Sequence, residues 1–141
     1  MAVDLQVTVL TYNIHKAIGN DRQFNPERIA RVCEEEGADI IALQEVDYGV
    51  PRSHHQDLAS VLAQRLGFSY RLGLNVQLKV GAYGNATLSR WPFLLGENLD
   101  LTWTTTCCGV TSNFVTVTEP GDDTNKMLRV IMSDPVWREM Y

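Results

Sequence analysis

The chain has 141 residues, enough for one ordinary domain with its own core. Hydrophobic residues make up 45% and charged residues 21%, a globular rather than a disordered composition. A formal net charge of −5 argues against broad, non-specific nucleic-acid binding, which needs a basic surface, but leaves room for a phosphate substrate beside a bound cation.

The opening residues Met-Ala-Val-Asp-Leu-Gln carry no basic segment followed by an apolar one, so no signal peptide is expected. No apolar run reaches the length of a membrane span. Cys33, Cys107 and Cys108 are odd in number and suit neither a disulfide framework nor a zinc site, so the expected location is the cytoplasm.

Residues 5–14 read as a first strand, β-branched and ending in the polar Asn13 and His15. After a turn at Gly19-Asn20-Asp21, Asn25-Pro26 opens a helix, with Asn as cap and Pro at the first helical position. Ile29, Val32 and Cys33 make its apolar stripe, Gly37 stops it, and Glu34, Glu35 and Glu36 form a solvated face. Residues 39–47, Asp-Ile-Ile-Ala-Leu-Gln-Glu-Val-Asp, form a short buried strand whose apolar run breaks at Gln44-Glu45. The strand–helix–strand order predicts a βαβ unit with a right-handed crossover.

A carboxylate at the end of a buried strand is costly unless a metal, a cation or hydrogen bonds hold it. Two neighbouring strands ending in Asn13 and Glu45 can present two oxygen ligands to a hard cation such as Mg²⁺. Alternatively, Asn13 is a turn-former, His15 a loop histidine and Glu45 an exposed strand end with a basic partner.

A loop is expected over 48–55, exposing His54 and His55, and then a helix over 56–66 with Leu58, Val61, Leu62 and Leu66 inward and Gly67 as cap. Strands are expected over 68–74 and 83–89, another over 99–103, and a hairpin pairing 114–118 with 127–132 around Pro120-Gly121-Asp122-Asp123. Arg52 and Arg90 could touch phosphate, but surface salt bridges are commoner and they are read as ion-pair partners; Asp47 is read as a residue that orients its neighbours or ends the strand, and Trp91 as core. No role is assigned to the uncharged stretch 102–112. Without repeats or low-complexity linkers, 1–141 reads as one domain.

Three motifs, in order, carry a resemblance: Thr11-Tyr12-Asn13-Ile14-His15, then residues 39–47, then Gly84-Asn85-Ala86-Thr87-Leu88-Ser89-Arg90-Trp91-Pro92. Together they resemble the endonuclease/exonuclease/phosphatase superfamily of metal-dependent phosphoesterases, over residues 5–95, with an atypical tail over 96–141. The resemblance implies an α/β (α+β) fold, part of a four-layered αββα sandwich of mixed sheets with the active site at one rim. It implies a phosphoester hydrolase using Mg²⁺ or Mn²⁺, with Asn13 and Glu45 in the metal site and His15 as a further active-site polar group. Asn85 is placed on the substrate side. The resemblance does not choose among DNA, sphingomyelin, inositol phosphate and poly(A) substrates.

The family's second half, with a strand ending in Thr-His, a Gly-Asp-x-Asn motif and a Ser-Asp-His motif, has no counterpart here; Met132-Ser133-Asp134-Pro135 follows Leu128-Arg129-Val130-Ile131 instead. The expectation is therefore an incomplete fold with weak metal binding and little or no turnover. The alternative is a non-catalytic remnant or protein-binding module. An uncovered sheet face would make such a chain oligomeric, aggregation-prone or partly disordered beyond residue 100.

Overall fold

In the computed structural model, residues 6–100, 110–117 and 128–135 are described. Strand β1 (Val9–Asn13) leads through a short 3-10 turn, His15–Ala17, to helix α1 (Pro26–Glu36) and strand β2 (Ile40–Tyr48). A second 3-10 turn, Pro51–Ser53, precedes helix α2 (Leu58–Leu66). Strands β3 (Ser69–Gln77), β4 (Ala82–Ser89), β5 (Phe93–Asp100), β6 (Val110–Val117) and β7 (Leu128–Pro135) follow.

Local chemistry sets the ends of α1. The Asn25 side chain accepts a hydrogen bond from the Arg28 N–H, Pro26 follows it, and Gly37 closes the helix at φ +60°. Asp57 caps α2 in the same way, accepting from the Ser60 N–H, so this helix starts at Leu58 and not at 56. Ile29, Ala30 and Cys33 of α1 and Leu58, Ala59, Leu62 and Ala63 of α2 are buried. Val32, Val61 and Leu66, expected in the stripes, are only half-buried, because the small alanines lie closest to the sheet.

A four-stranded mixed sheet has the order β1-β2-β4-β3. β1 and β2 are parallel, with Val9 opposite Ile40 and Asn13 opposite Gln44, and α1 makes the crossover between them. β4 runs antiparallel to both β2 and β3. One face of this sheet, with Ile41, Leu43, Val46, Ala86 and Leu88, packs on the helices. On the other face Ile40 packs with Val7, Trp91 and Phe93, which places Trp91 against the core as expected.

A second, three-stranded antiparallel sheet has the order β5-β6-β7, and β5 and β6 lie against β3 and β4. The pairing of Val117 with Leu128 fits the expected hairpin; its turn, 120–123, lies outside the described residues.

Several boundaries differ from expectation. β1 begins at Val9, because Thr8 already contributes its carbonyl to the Asp39 and Ile40 N–H groups beside the strand. β2 continues to Tyr48, and a 3-10 turn occupies part of the expected loop 48–55. β3 runs on to Gln77 because it pairs with β4 through a bulge between Leu74 and Val76. A strand is expected over 99–103; Leu99 and Asp100 lie in β5, which starts earlier, at Phe93, and pairs with β6, and 101–103 lie outside the described residues.

Candidate functional site

The break in the apolar run at Gln44-Glu45 is a β-bulge. Leu43 pairs with Ala86 and Val46 with Gly84, so Gln44 and Glu45 together face the single residue Asn85 of β4. Glu45 sits in the left-handed region, φ +56°, a conformation that costs a non-glycine residue on the order of 1 kcal/mol or more. The bulge also resets strand alternation. Ile41, Leu43 and Val46 all enter the helix-side core, so Asp47 turns to the opposite face; a regular strand would have driven it into that core.

β1 ends at Asn13 opposite Gln44, in the middle of β2, which brings Asn13 to the bulged Glu45. Asn13 Nδ2 donates to Glu45 Oε1 at 3.3 Å, while Asn13 Oδ1 accepts from the His15 N–H at 3.0 Å. His15 Nδ1 lies 3.3 Å from Glu45 Oε2, with its side chain largely exposed. Lys16, which the sequence reading missed, donates from Nζ to the same oxygen at 2.6 Å. Burial alone would raise the Glu45 carboxyl, but hydrogen bonds from Lys16 and Asn13 and the charges of Lys16 and His15 outweigh it and hold the group below its ordinary value. His15, Lys16 and Ala17 all have positive φ, which folds the segment after β1 back over the end of β2. The sequence signal for Lys16 was its position directly after the strand-terminal Asn-Ile-His.

Asn85, expected on the substrate side, is fully buried and sits opposite the bulge. His54 and His55 are exposed, as expected, and His54 stacks on Phe24 with ring centroids 5.1 Å apart. Arg90 pairs with Asp39 at the surface at 3.0 Å. Arg52 does not stay at the surface alone: its Nε and Nη2 donate to the two oxygens of the fully buried Asp47, both at 2.8 Å. A cleft of about 530 Å³ beside β1 and α1 is lined by Asn13, His15, Asn25 and Arg28 and does not reach Glu45.

For a divalent metal, the donor chemistry fits in part. Glu45 supplies one carboxylate and Asn13 one amide oxygen, which here accepts from the His15 N–H while the amide nitrogen faces Glu45, a minimal set for a hard cation that keeps most of its waters. Among the described residues no group of three or more His, Cys, Asp or Glu side chains stands close enough to hold a metal. Lys16 already compensates the carboxylate, so a cation there would have to displace its ammonium from Oε2.

Among the described residues, no helix is long and apolar enough to cross a membrane. Comparison with curated proteins finds no match. Among solved structures, an endonuclease/exonuclease/phosphatase from Beutenbergia cavernae is 25% identical, with a TM-score of 0.66 over 92% of this chain and 37% of its own. A family protein from Leptotrichia buccalis is 17% identical, TM-score 0.65, over 89% of this chain and 54% of its own. The human Nocturnin catalytic domain with bound sulfate anion is 21% identical, TM-score 0.59, over 93% and 52%. The chain thus spans between 37% and 54% of the lengths of these structures. A sequence profile of the Endonuclease/Exonuclease/phosphatase family matches residues 10–127, most of the chain, and with the mixed sheet, the crossover helix and the bulged strand it establishes that the protein belongs to that family.

Proposed function

We propose that the chain carries the metal-holding part of a metal-dependent phosphoester hydrolase site, and that these 141 residues alone bind metal weakly and turn over little substrate. The observation that carries this reading is the meeting of Asn13, at the C-terminal end of β1, with Glu45, held in a strained bulge within its parallel neighbour β2. Strained backbone clusters at ligand sites and persists where its surroundings over-determine it.

Glu45 and Asn13 would hold Mg²⁺ or Mn²⁺; the ion, when bound, would polarise a phosphoryl oxygen and lower the pKa of a bound water. The chain's own residues perform three tasks. Glu45 is kept ionised by Lys16 and Asn13, so the carboxylate needs no deprotonation before it binds a cation. His15 N–H fixes the Asn13 amide, which sets which of its atoms faces Glu45. Lys16, once displaced from Oε2, is a cation at the rim that can meet a phosphate oxygen.

Binding of Mn²⁺ by the wild type, Glu45→Gln and Asn13→Ala tests the reading. The expected result is weak binding, in the millimolar range, lost in Glu45→Gln and reduced in Asn13→Ala, with slow hydrolysis of bis(p-nitrophenyl) phosphate at most. Equal binding in all three proteins would sink it. Turnover at the rate of an intact family enzyme, lost in Glu45→Ala, would sink the second half of the statement.

The 2.6 Å contact of Lys16 with Glu45 favours a second reading, a non-catalytic module in which the ammonium satisfies the carboxylate permanently. Under it, Lys16→Ala unmasks no metal binding. Under the hydrolase reading, Lys16→Ala strengthens Mn²⁺ binding.

A further inference from the structure

The mechanism leaves unused a buried ion pair two residues beyond the metal-facing glutamate. Asp47 is fully buried, and a carboxylate in that position is tolerated only when paired and hydrogen-bonded. Arg52 supplies both bonds through one edge of its guanidinium, Nε to Oδ2 and Nη2 to Oδ1, each 2.8 Å long. The same guanidinium lies over the Tyr83 ring, 5.8 Å from its centroid, and Tyr83 is the residue paired with Asp47 across β2 and β4. Three separate pieces of chain, the 3-10 turn, the end of β2 and the start of β4, therefore fix one cation.

A buried ion pair is a poor stabiliser, since an apolar pair of similar volume often does as well. Its distinctive effect is position. The Arg52 side chain is 38% exposed, and among the described residues its Nη1 makes no hydrogen bond, which leaves that edge of the fork for an oxygen ligand. Because the bulge turns Asp47 to the face away from the helices, the fork is brought to the side of the sheet where Ile40 also lies, at the end of the strand that carries Glu45. The hydrogen bonds of Asp47, against burial, and then the charges of Asp47, Tyr83 and Glu45 raise the Arg52 pKa further in a residue that is a cation at any working pH.

We propose that Arg52 is a substrate-phosphate ligand, an arginine fork pre-set by buried Asp47 to bind phosphoryl oxygens beside Glu45. This rests on the hydrolase reading for its substrate class, a phosphate mono- or diester. It adds a metal-independent anion contact. Planar guanidinium groups match phosphate with two parallel N–H···O bonds, and Asp47 removes the rotamer freedom that a lone surface arginine would have to lose on binding. The fork and Lys16 give the site two cations in a chain whose net charge is −5.

The test is titration of the full chain with inorganic phosphate in EDTA, followed by NMR or calorimetry, for the wild type, Arg52→Gln and Arg52→Lys. Phosphate affinity is expected to fall at least about fivefold in Arg52→Gln and less in Arg52→Lys, which keeps the charge without the fork. Mn²⁺ affinity measured separately is expected to stay unchanged in both. No phosphate binding by the wild type would overturn the proposal, as would equal affinity in Arg52→Gln, including the case in which only its melting temperature drops. If Arg52→Gln fails to fold, Arg52→Lys decides: unchanged phosphate affinity overturns the proposal. Loss of Mn²⁺ binding dependence on Glu45, with the phosphate result intact, would instead count against the hydrolase reading and spare Arg52 as an anion ligand.

Discussion

Glu45 concentrates the chemistry of this chain into one residue whose backbone is strained and whose carboxylate is met by three nitrogen-bearing side chains. Its folded-state pKa lies below its unfolded value of about 4.3, so its contribution to stability is fully present above that value. The contribution is lost as pH falls through the folded value. The melting temperature of the wild type should therefore exceed that of Glu45→Gln near neutral pH, and the gap should close in acid as pH falls through the lowered folded value. A gap that does not change with pH would mean that the Lys16 contact contributes no electrostatic stability. Cys33 makes a simpler prediction. Its thiol is buried on α1 and burial pushes it up to about 11. Thiolate is the reactive form, so alkylation mapped to Cys33 by mass spectrometry at pH 8 should be negligible in the folded protein and rapid in urea.

At the scale of the elements, caps set where the helices begin, and one glycine lets two strands approach. Asn25→Ala removes the side-chain acceptor for the Arg28 N–H and should cost about 1 kcal/mol in chemical denaturation. Gly84 is less forgiving. A Cβ there would meet the backbone carbonyl of Gly73 at 1.9 Å, inside the β3–β4 pairing, with no flexible side chain to yield. Gly84→Ala should therefore destabilise on the order of 3 kcal/mol or more, or prevent folding, as read by urea titration. A loss under about 0.5 kcal/mol, within the usual surface-substitution range, would show that the two strands can separate locally. Motif residues gain their meaning at this scale: Gly84 lets β3 approach, and Asn85 fills the position opposite the bulge.

At the scale of the whole molecule, the edges matter. β1 is an edge strand with Val9 half exposed, although strands in parallel sheets are commonly covered on both faces. On β5, Leu94 and Leu95 are adjacent and about two-thirds exposed. Together these edges predict self-association of the 141-residue chain. Light scattering on the eluting peak should give a mass above 15.9 kDa, rising with concentration. A monomer at all concentrations with a single cooperative melt would contradict this.

Much of the first ninety residues was legible because the signals are local. An Asn-Pro cap, a Gly stop and a β-branched run are chemistry between near neighbours, and they located α1, β2 and the parallel crossover. The end of β2 was legible as a polar interruption. That the interruption is a bulge, that it turns Asp47 away from the core, and that Arg52 folds back to meet it depend on pairing with β4, forty residues away in sequence. Lys16 reaches Glu45 across 29 positions, and no spacing rule connects them. The start of β5 at Phe93 went unread for the same reason: it follows from pairing with β6, and not from its own apolar pattern. The sequence by itself therefore determined the family, the βαβ opening and the candidate residues Asn13 and Glu45, because each rests on short-range propensity and motif order. Only the tertiary structure decided which charges share one site, because that requires strands brought side by side and a bulge that re-aims their side chains.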